Sequence, residues 1–202
     1  MGLGNPGRGY AATRHNVGFM VIERLAERWR IDLAPCKGVR SGRGQFRDSS
    51  VLLVEPQRYM NLSGEALVEA VPDLERDDRD AELAVPRAGH RDDVIVVHDD
   101  IDLDCGQLRI KRGGGSGGHR GVASIADRCG ADFLRVRVGV GRPAVGEDAV
   151  AHVLAPFADT ERDTVATAIE LAADAVESLI SDGIEMTMNR FNRRAATLTR
   201  AN

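Results

Sequence analysis

The chain has 202 residues, of which 43% are hydrophobic and 29% are charged, and its formal net charge is −4. This length suits one globular domain, no apolar run is long enough to span a membrane, and the acidic balance argues against a general nucleic-acid coat. The three cysteines are widely spaced and form no C-x-x-C pair, which argues against structural zinc and favours a reduced, cytoplasmic protein.

The stretch after Met1 reads GLGNPGRGYAATRHNVGF and brings a glycine-rich turn, Asn5 and His15 close together in sequence. Its opening fits the dinucleotide fingerprint G-x-G-x-x-G, which requires a strand before it and a helix directly after it. No strand precedes it in the chain as given, Pro6 has no N–H for a pyrophosphate, and more loop follows. These features argue against a nucleotide-binding oxidoreductase.

Helical and strand patterns alternate along the chain. Apolar spacing predicts a helix over residues 17–29, with Thr13 or Asn16 as its N-cap. Short apolar runs bounded by turn residues predict four strands, at 51–54, 94–97, 108–111 and 134–140. Further helices are predicted over about 65–71, 122–129, 159–181 and 184–194. This alternation predicts an α/β fold: a single globular domain over residues 1–195, with a twisted mixed β-sheet flanked by helices.

The remaining segments have weaker patterns. Residues 34–48 are rich in Gly and Arg and are predicted to form a loop or a frayed hairpin. Residues 72–92 are rich in acids and arginines without periodicity and are predicted to be a mobile surface insertion. Residues 196–202 are assigned to a C-terminal tail. Because Arg135 and Arg137 alternate with apolar residues, their strand is predicted to have one solvent-exposed face.

A histidine and an aspartate are the candidate catalytic pair. Asp99 follows a predicted strand, at the end where open α/β sheets place their ligands. Its carboxylate could hydrogen-bond one nitrogen of His15 and leave the other free to take a proton from water. No Ser or Cys lies in a recognisable nucleophile elbow, so direct attack of water on an acyl carbon is favoured. Asn5 and Asn61 are candidates for binding the carbonyl oxygen, although asparagine also forms turns.

Two other patterns suggest ions. The acidic run that begins at Asp99 and continues to Asp104 lacks the spacing of an EF-hand loop, and no metal site is predicted from it. The glycine run at 113–118 follows Lys111 and exposes many backbone N–H groups, so it could receive a phosphate or act as a flexible flap. Clusters of basic residues at 109–112 and 135–142 could likewise hold a phosphate backbone, or could simply decorate strand edges.

Five motifs occur in the order expected of bacterial-type peptidyl-tRNA hydrolases: GLGNPGRGYAATRHNVGF, EPQRYMNLSGEAL, VVHDDIDL, KRGGGSGGHRGV and RVRVGVGRP. Over residues 1–195 the chain therefore resembles that family. The resemblance implies an α/β globule that hydrolyses the ester joining a peptide to the 3′ ribose of tRNA and so recycles tRNA from prematurely released chains. It further implies a monomer whose partner is the tRNA acceptor arm with its attached peptide, and neither metal nor cofactor.

The resemblance also assigns roles to individual residues. His15 matches the catalytic base, Asp99 the residue that orients it, and Asn5 a third catalytic position. Lys111 and Arg137 match basic positions that face the tRNA acceptor arm. The positions that match substrate-binding residues of the family are Tyr10, Met60, Asn61, His119 and Arg120.

The chain departs from the family pattern in three places. Arg120 replaces an asparagine that usually follows the glycine-rich loop's histidine, and an arginine can only donate hydrogen bonds. Arg58 replaces a small hydroxyl residue. The family also has an apolar strand before GLGNP, so we expect the natural chain to start upstream of Met1. An alternative function follows from these departures, namely an RNA-binding paralogue with weakened catalysis, but the four matched residues His15, Asp99, Asn5 and Asn61 favour the enzyme.

Overall fold

Helices and strands alternate along most of the chain. The structure, a computed structural model, describes residues 1–71 and 94–192, so the insertion predicted at 72–92 and the tail predicted at 196–202 lie outside the described residues. The strands are β1 (Ala34–Cys36), β2 (Val39–Phe46), β3 (Ser49–Pro56), β4 (Ile95–Asp100), β5 (Leu108–Arg112) and β6 (Leu134–Gly139). The helices are α1 (Val17–Trp29), α2 (Ser63–Ala70), α3 (Arg120–Cys129), α4 (Ala149–Leu154) and α5 (Arg162–Phe191).

The described strands form two three-stranded sheets that the first residues of the chain connect. In one sheet β2 pairs antiparallel with both β1 and β3. In the other β6 lies in the middle, parallel to β4 and antiparallel to β5. Between the sheets, Gly2 N donates to the Val54 carbonyl at 3.0 Å and Leu3 N donates to the Val97 carbonyl at 2.9 Å. The predicted α/β class with mixed strand directions and flanking helices is confirmed.

Helices cover both faces of the sheet that contains β4. Successive side chains of a strand point to opposite faces. Val97 accordingly packs in a core cluster with α1 and α5, and the neighbouring Val96 packs in a second cluster with α2 and α3. Fully burying an aliphatic side chain of this size contributes roughly 1.5–3 kcal/mol. Burial on both faces explains why β4 is an uninterrupted apolar run in the sequence.

The glycine-rich segment at 34–48 forms β1, β2 and the turn that leads into β3. Its register runs from Val39 opposite Pro56 to Phe46 opposite Ser49. Gly42 has a structural reason in this strand, because a Cβ there would lie 2.4 Å from the Asp32 carbonyl oxygen. Of the two predicted alternatives, loop or hairpin, the hairpin is therefore present.

The prediction that β6 has a solvent-exposed face was wrong. Arg135 is only 2% exposed, and its guanidinium lies over the Phe133 ring at 4.6 Å from the centroid. Its Nη atoms donate to carbonyl oxygens of Gly114 and Gly115. The glycine loop folds over this face of the sheet, and the alternation of Arg with apolar residues carries no information about such a cover.

The C-terminal part contains one helix that was not predicted. Helix α4 was not predicted, because six residues are too few for a clear period. The two helices predicted at 159–181 and 184–194 correspond to α5, which contains a kink at Gly183 with φ of 77°. No helix in the described ranges combines the length and apolar character needed to cross a bilayer.

Candidate active site

The glycine-rich turn is tied to the start of α1 by a side chain. Asn16 occupies the N-cap position but makes no capping bond, and Thr13 caps no helix with its hydroxyl either. Instead, Asn16 Oδ1 accepts from the backbone N–H of Asn5, and its Nδ2 donates to the Asn5 carbonyl, both at 2.9 Å. This reciprocal pair, buried at 2% exposure for Asn16, fixes the position of Asn5 relative to the helix. The sequence predicted a cap at Asn16 and missed this role.

The orientation of the Asn5 side chain follows from one hydrogen bond. Its Oδ1 accepts from the backbone N–H of Met60 at 2.9 Å. The carboxamide nitrogen must then point away from Met60, and it has no hydrogen-bond partner among the described residues. Because Asn5 also lines the pocket described below, it presents a donor there. A donor at this position suits an oxygen that gains negative charge.

Asp99 holds two imidazole rings with one oxygen. It is 3% exposed at the carboxyl end of β4, and its Oδ1 lies 2.9 Å from His15 Nδ1 and 2.9 Å from His119 Nε2. The centroids of the two rings are 4.9 Å apart. The sequence predicted the contact between His15 and Asp99, whereas the contact of His119 with the same oxygen was not foreseen.

The hydrogen bonds assign the tautomer of each ring. His119 is the N-cap of α3, and its Nδ1 accepts from the backbone N–H groups of Gly121 at 3.1 Å and Val122 at 3.3 Å. Its Nε2 therefore carries the proton that is donated to Asp99. For His15 the same logic places the proton on Nδ1, facing the carboxylate, and leaves Nε2 as an acceptor. His15 Nε2 is thus arranged to take a proton from a molecule in front of it.

Burial and the neighbouring imidazoles determine the pKa of Asp99 and of His98. Burial raises the pKa of Asp99, but His119, followed by hydrogen bonds from His119 and His15, reverses that effect and holds the pKa well below its usual range. His98 lies beside them, with its ring centroid 4.9 Å from that of His119. Burial, and then His119, lower the pKa of His98 to about 3, so this third imidazole is neutral. Asp99 is the anion that the neighbouring rings share.

These groups line a pocket of about 470 Å³. Helix α4 supplies an apolar wall, including Val150, Val153 and Leu154, that sequence reasoning missed. One signal for α4 was present, because Asp148 precedes it and its side chain accepts from Ala151 N at 2.9 Å. The residues singled out from the sequence that line this pocket are Asn5, Tyr10, His15, Met60, Asn61, Asp99, His119, Arg120 and Arg137.

The two arginines that depart from the family pattern lie in different surroundings. Arg120 is the exposed first residue of α3, lines the pocket, and forms no ion pair with any described residue. Arg58 instead pairs with Glu69 of α2 at 2.7 Å and does not line the pocket. Of these two arginines, Arg120 alone is placed to contact a molecule in the pocket.

Basic side chains face each other on the β5–β6 ladder. Arg109 lies directly opposite Arg137, and Lys111 lies directly opposite Arg135. Like charges in this position destabilise a sheet. Arg137 pairs with Asp100 of the neighbouring strand, but Lys111 lies outside the pocket and has no ion pair within the described part of the chain. Positive charge that no described acidic side chain neutralises, such as that of Lys111, is typical of a surface that binds anions.

One group of side chains could hold a metal ion. The ligand atoms of His15, Asp99 and His119 all lie within 4.8 Å of one another. Within the described residues, the acidic run after Asp99 supplies no further ligand atom to this group. Asp100 instead pairs with Arg137, and Asp102 pairs with Arg142 on the surface. The hydrogen bonds already described account for the arrangement of the three side chains.

The chain is similar to known proteins over almost its whole length. A family model described as Peptidyl-tRNA hydrolase matches residues 1–199. Curated relatives of that name include one from Caldanaerobacter subterraneus, 46% identical and covering 95% of this chain and 97% of its own, and one from Mycobacterium avium, 44% identical over 95% of each. The crystal structure of peptidyl-tRNA hydrolase from Acinetobacter baumannii has a TM-score of 0.80 and 35% identity, covering 95% of this chain and 92% of its own. This chain belongs to the peptidyl-tRNA hydrolase family.

Proposed function

We propose that the chain hydrolyses the ester between peptide and tRNA in peptidyl-tRNA, with His15 as general base and Asp99 as the carboxylate that orients it. The observation that carries the proposal is the 2.9 Å contact between Asp99 Oδ1 and His15 Nδ1, which leaves His15 Nε2 free in the pocket. Membership of the family supports the substrate class.

The reaction is a direct attack by water. His15 Nε2 takes a proton from a water molecule as the oxygen of that water bonds to the acyl carbon of the ester. The carbonyl oxygen becomes negatively charged and accepts a hydrogen bond from Asn5 Nδ2. The bond to the ribose oxygen then breaks, and the imidazolium returns its proton to that leaving oxygen. A positioned base contributes about 10²–10⁴-fold to the rate, and one preorganised donor contributes roughly 3 kcal/mol.

The walls of the pocket suit a peptide joined to a terminal nucleotide. Val150 is 51% exposed on α4 and belongs to an apolar wall that suits peptide side chains. The residues proposed to contact the substrate near the ester are Tyr10, Met60, Asn61, His119 and Arg120. The basic residues proposed to contact the tRNA backbone are Lys111 and Arg137.

The setting of the reaction is proposed from the state of the cysteines and from the family. The cysteines Cys36, Cys105 and Cys129 are all free thiols, which suits a reducing compartment such as the cytoplasm. Resemblance to the family supports a monomer. The proposed steps use only water and the side chains named above.

The alternative function, RNA binding with weakened catalysis, has one observation in its favour. Arg120 places a guanidinium at a pocket position where the family pattern has a carboxamide. The two functions are separated by incubating the protein with N-acetyl-aminoacyl-tRNA and measuring the released N-acetyl amino acid together with the tRNA dissociation constant. We expect release well above spontaneous hydrolysis. Tight binding with release at the spontaneous rate would support the alternative.

A further inference from the structure

The buried guanidinium of Arg135 has no anionic partner in the part of the chain that the structure describes. It is 2% exposed, and its Nε is buried without a hydrogen-bond partner. Its Nη atoms donate only to carbonyl oxygens, namely those of Gly115 at 2.8 Å, Gly114 at 2.6 Å and Ala131 at 3.4 Å. A buried charge is costly unless it is paired. Burying this arginine to hold the glycine loop therefore lowers the stability of the fold. Such a cost indicates that the conformation of the loop serves a function.

The two main bonds of Arg135 determine which way the loop's amides point. A trans peptide group directs its C=O and its N–H in opposite directions. Since the carbonyls of Gly114 and Gly115 face Arg135, the N–H groups of Gly115 and Ser116 face away from it, on the exposed side of the loop. The N–H groups of residues 115–118 donate to no acceptor among the described residues, whereas Gly113 N and His119 N anchor the two ends of the loop.

A cation lies at the same loop. A Cβ on Gly114 would be 2.3 Å from Lys111 Nζ, so the ammonium group lies directly beside the loop backbone. Lys111 has no ion pair with any described residue. Successive outward N–H groups beside a free ammonium group form an anion-binding concavity. The loop leads directly into His119, whose ring hydrogen-bonds to Asp99 in the pocket.

We propose that Arg135 is a positioning residue that turns the N–H groups of Gly115 and Ser116 outward, so that they bind a backbone phosphate of tRNA together with Lys111. Arg135 does not contact the phosphate. It sets the loop conformation from below, and the bound phosphate supplies the negative charge that this buried cation lacks. The inference rests on the proposed function insofar as tRNA approaches the glycine loop.

The test compares tRNA binding and ester hydrolysis in matched variants. Arg135→Lys keeps the positive charge but loses the guanidinium that donates to two carbonyl oxygens at once. Ser116→Pro removes one backbone N–H of the loop. The Ser116→Ala variant removes only the hydroxyl and is the control for the proline. Ser116 is not among the residues with positive φ, a range that proline cannot adopt. Lys111→Met removes the neighbouring charge and leaves the loop N–H groups in place.

The first measurement is the tRNA dissociation constant as a function of salt concentration. We expect Arg135→Lys and Ser116→Pro each to weaken binding by about tenfold, the usual size of a lost hydrogen bond to a charged group. Neutral N–H groups release no counterions, so the slope of log Kd against log salt should stay that of the wild type. Lys111→Met should instead reduce that slope by about 0.7–0.9. Wild-type affinity in both Arg135→Lys and Ser116→Pro would overturn the proposal.

The second measurement separates positioning from general damage. Each variant is given N-acetyl-aminoacyl-tRNA and the same ester on adenosine, which carries no phosphate. For Arg135→Lys and Ser116→Pro we expect kcat/KM to fall about tenfold for the tRNA ester, in line with the lost hydrogen bond, and to stay within about twofold for the adenosine ester. Equal losses on both esters would overturn the proposal in favour of a purely structural role. A wild-type protein that hydrolyses neither ester would contradict the proposed function, while the binding measurement would still decide this inference.

Discussion

One carboxylate oxygen of Asp99 accepts hydrogen bonds from two imidazole rings. The rings differ in whether their second nitrogen already has a hydrogen-bond partner. His119 Nδ1 is occupied by two backbone N–H groups, whereas His15 Nε2 is left free in the pocket. Chemically identical side chains are thereby divided into one ring that can act as a base and one ring that is fixed as a donor. Helix capping at His119 is the local cause of this difference.

The Asn5 side chain offers a test at the scale of single residues. Replacing Asn5 with Asp keeps an oxygen that can accept from Met60 N, but it exchanges the free N–H₂ donor for an anionic oxygen. If the donor stabilises the developing negative charge, kcat should fall about 10²–10³-fold. Thermal unfolding of the same samples serves as the control, and we expect only a small change. A variant with wild-type kcat would remove Asn5 from the mechanism.

Arg120 and Arg58 form a matched pair for the next prediction. Arg120→Asn removes a cation from the pocket, so we expect a higher KM for the tRNA ester and a shallower salt dependence, with kcat changed much less. Arg58→Thr removes an arginine that pairs with Glu69 outside the pocket and should leave both constants unchanged. Steady-state kinetics at two salt concentrations gives both readouts. Equal effects of the two substitutions would contradict the assignment of Arg120 to the pocket.

At the scale of elements, the sequence predicted what depends on periodicity and failed where close packing decides. Helix α1 was predicted with both ends correct because its apolar face repeats over several turns. The hairpin strand β2 was left undecided between loop and hairpin, since Gly42 is needed there for close approach to Asp32 rather than for a turn. The burial of Arg135 depends on a loop distant in sequence, which no local pattern encodes.

Strand β3 contains a buried acid that makes stability depend on pH. Glu55 is 0% exposed; Arg40 donates to its Oε2 at 2.8 Å, while Oε1 is buried without a partner among the described residues. Burial raises the pKa of Glu55 to about 7, although Arg40 opposes that rise. Because the folded-state pKa is above the unfolded one, the stabilisation is complete below about pH 4.5 and is lost as pH rises through about 7.

The corresponding prediction concerns Glu55→Gln. Relative to this variant, the wild type should lose about 3 kcal/mol of unfolding free energy between pH 4.5 and pH 8, at 1.36 kcal/mol for each pKa unit. Denaturant unfolding at several pH values measures the difference. Glu23→Gln is the control, because Glu23 is an exposed partner of the same Arg40 and only a lesser cause of the raised pKa of Glu55. Relative to Glu23→Gln, the wild type should lose much less unfolding free energy over the same pH range. A difference between wild type and Glu55→Gln that is constant across pH would contradict the raised pKa.

At the scale of the whole molecule, the pocket forms where parts distant in sequence converge. The turn after Met1, the end of β4, the loop before α3 and the helix α4 each contribute to its lining. Family resemblance identified the side chains on the first three parts, and the strand-end rule for Asp99 followed from fold class alone. The apolar wall from α4 and the shared oxygen of Asp99 depend on tertiary geometry, so they appear only in the folded chain.

If His15 is the base for hydrolysis, its removal should slow the chemical step far more than it weakens tRNA binding. The single-turnover rate constant for N-acetyl-aminoacyl-tRNA would be measured with saturating wild type and with saturating His15→Ala, together with the tRNA dissociation constant of each. We predict a rate about 10²–10⁴-fold lower for His15→Ala, with tRNA affinity largely retained. A rate for His15→Ala close to that of the wild type would show that His15 is not the base.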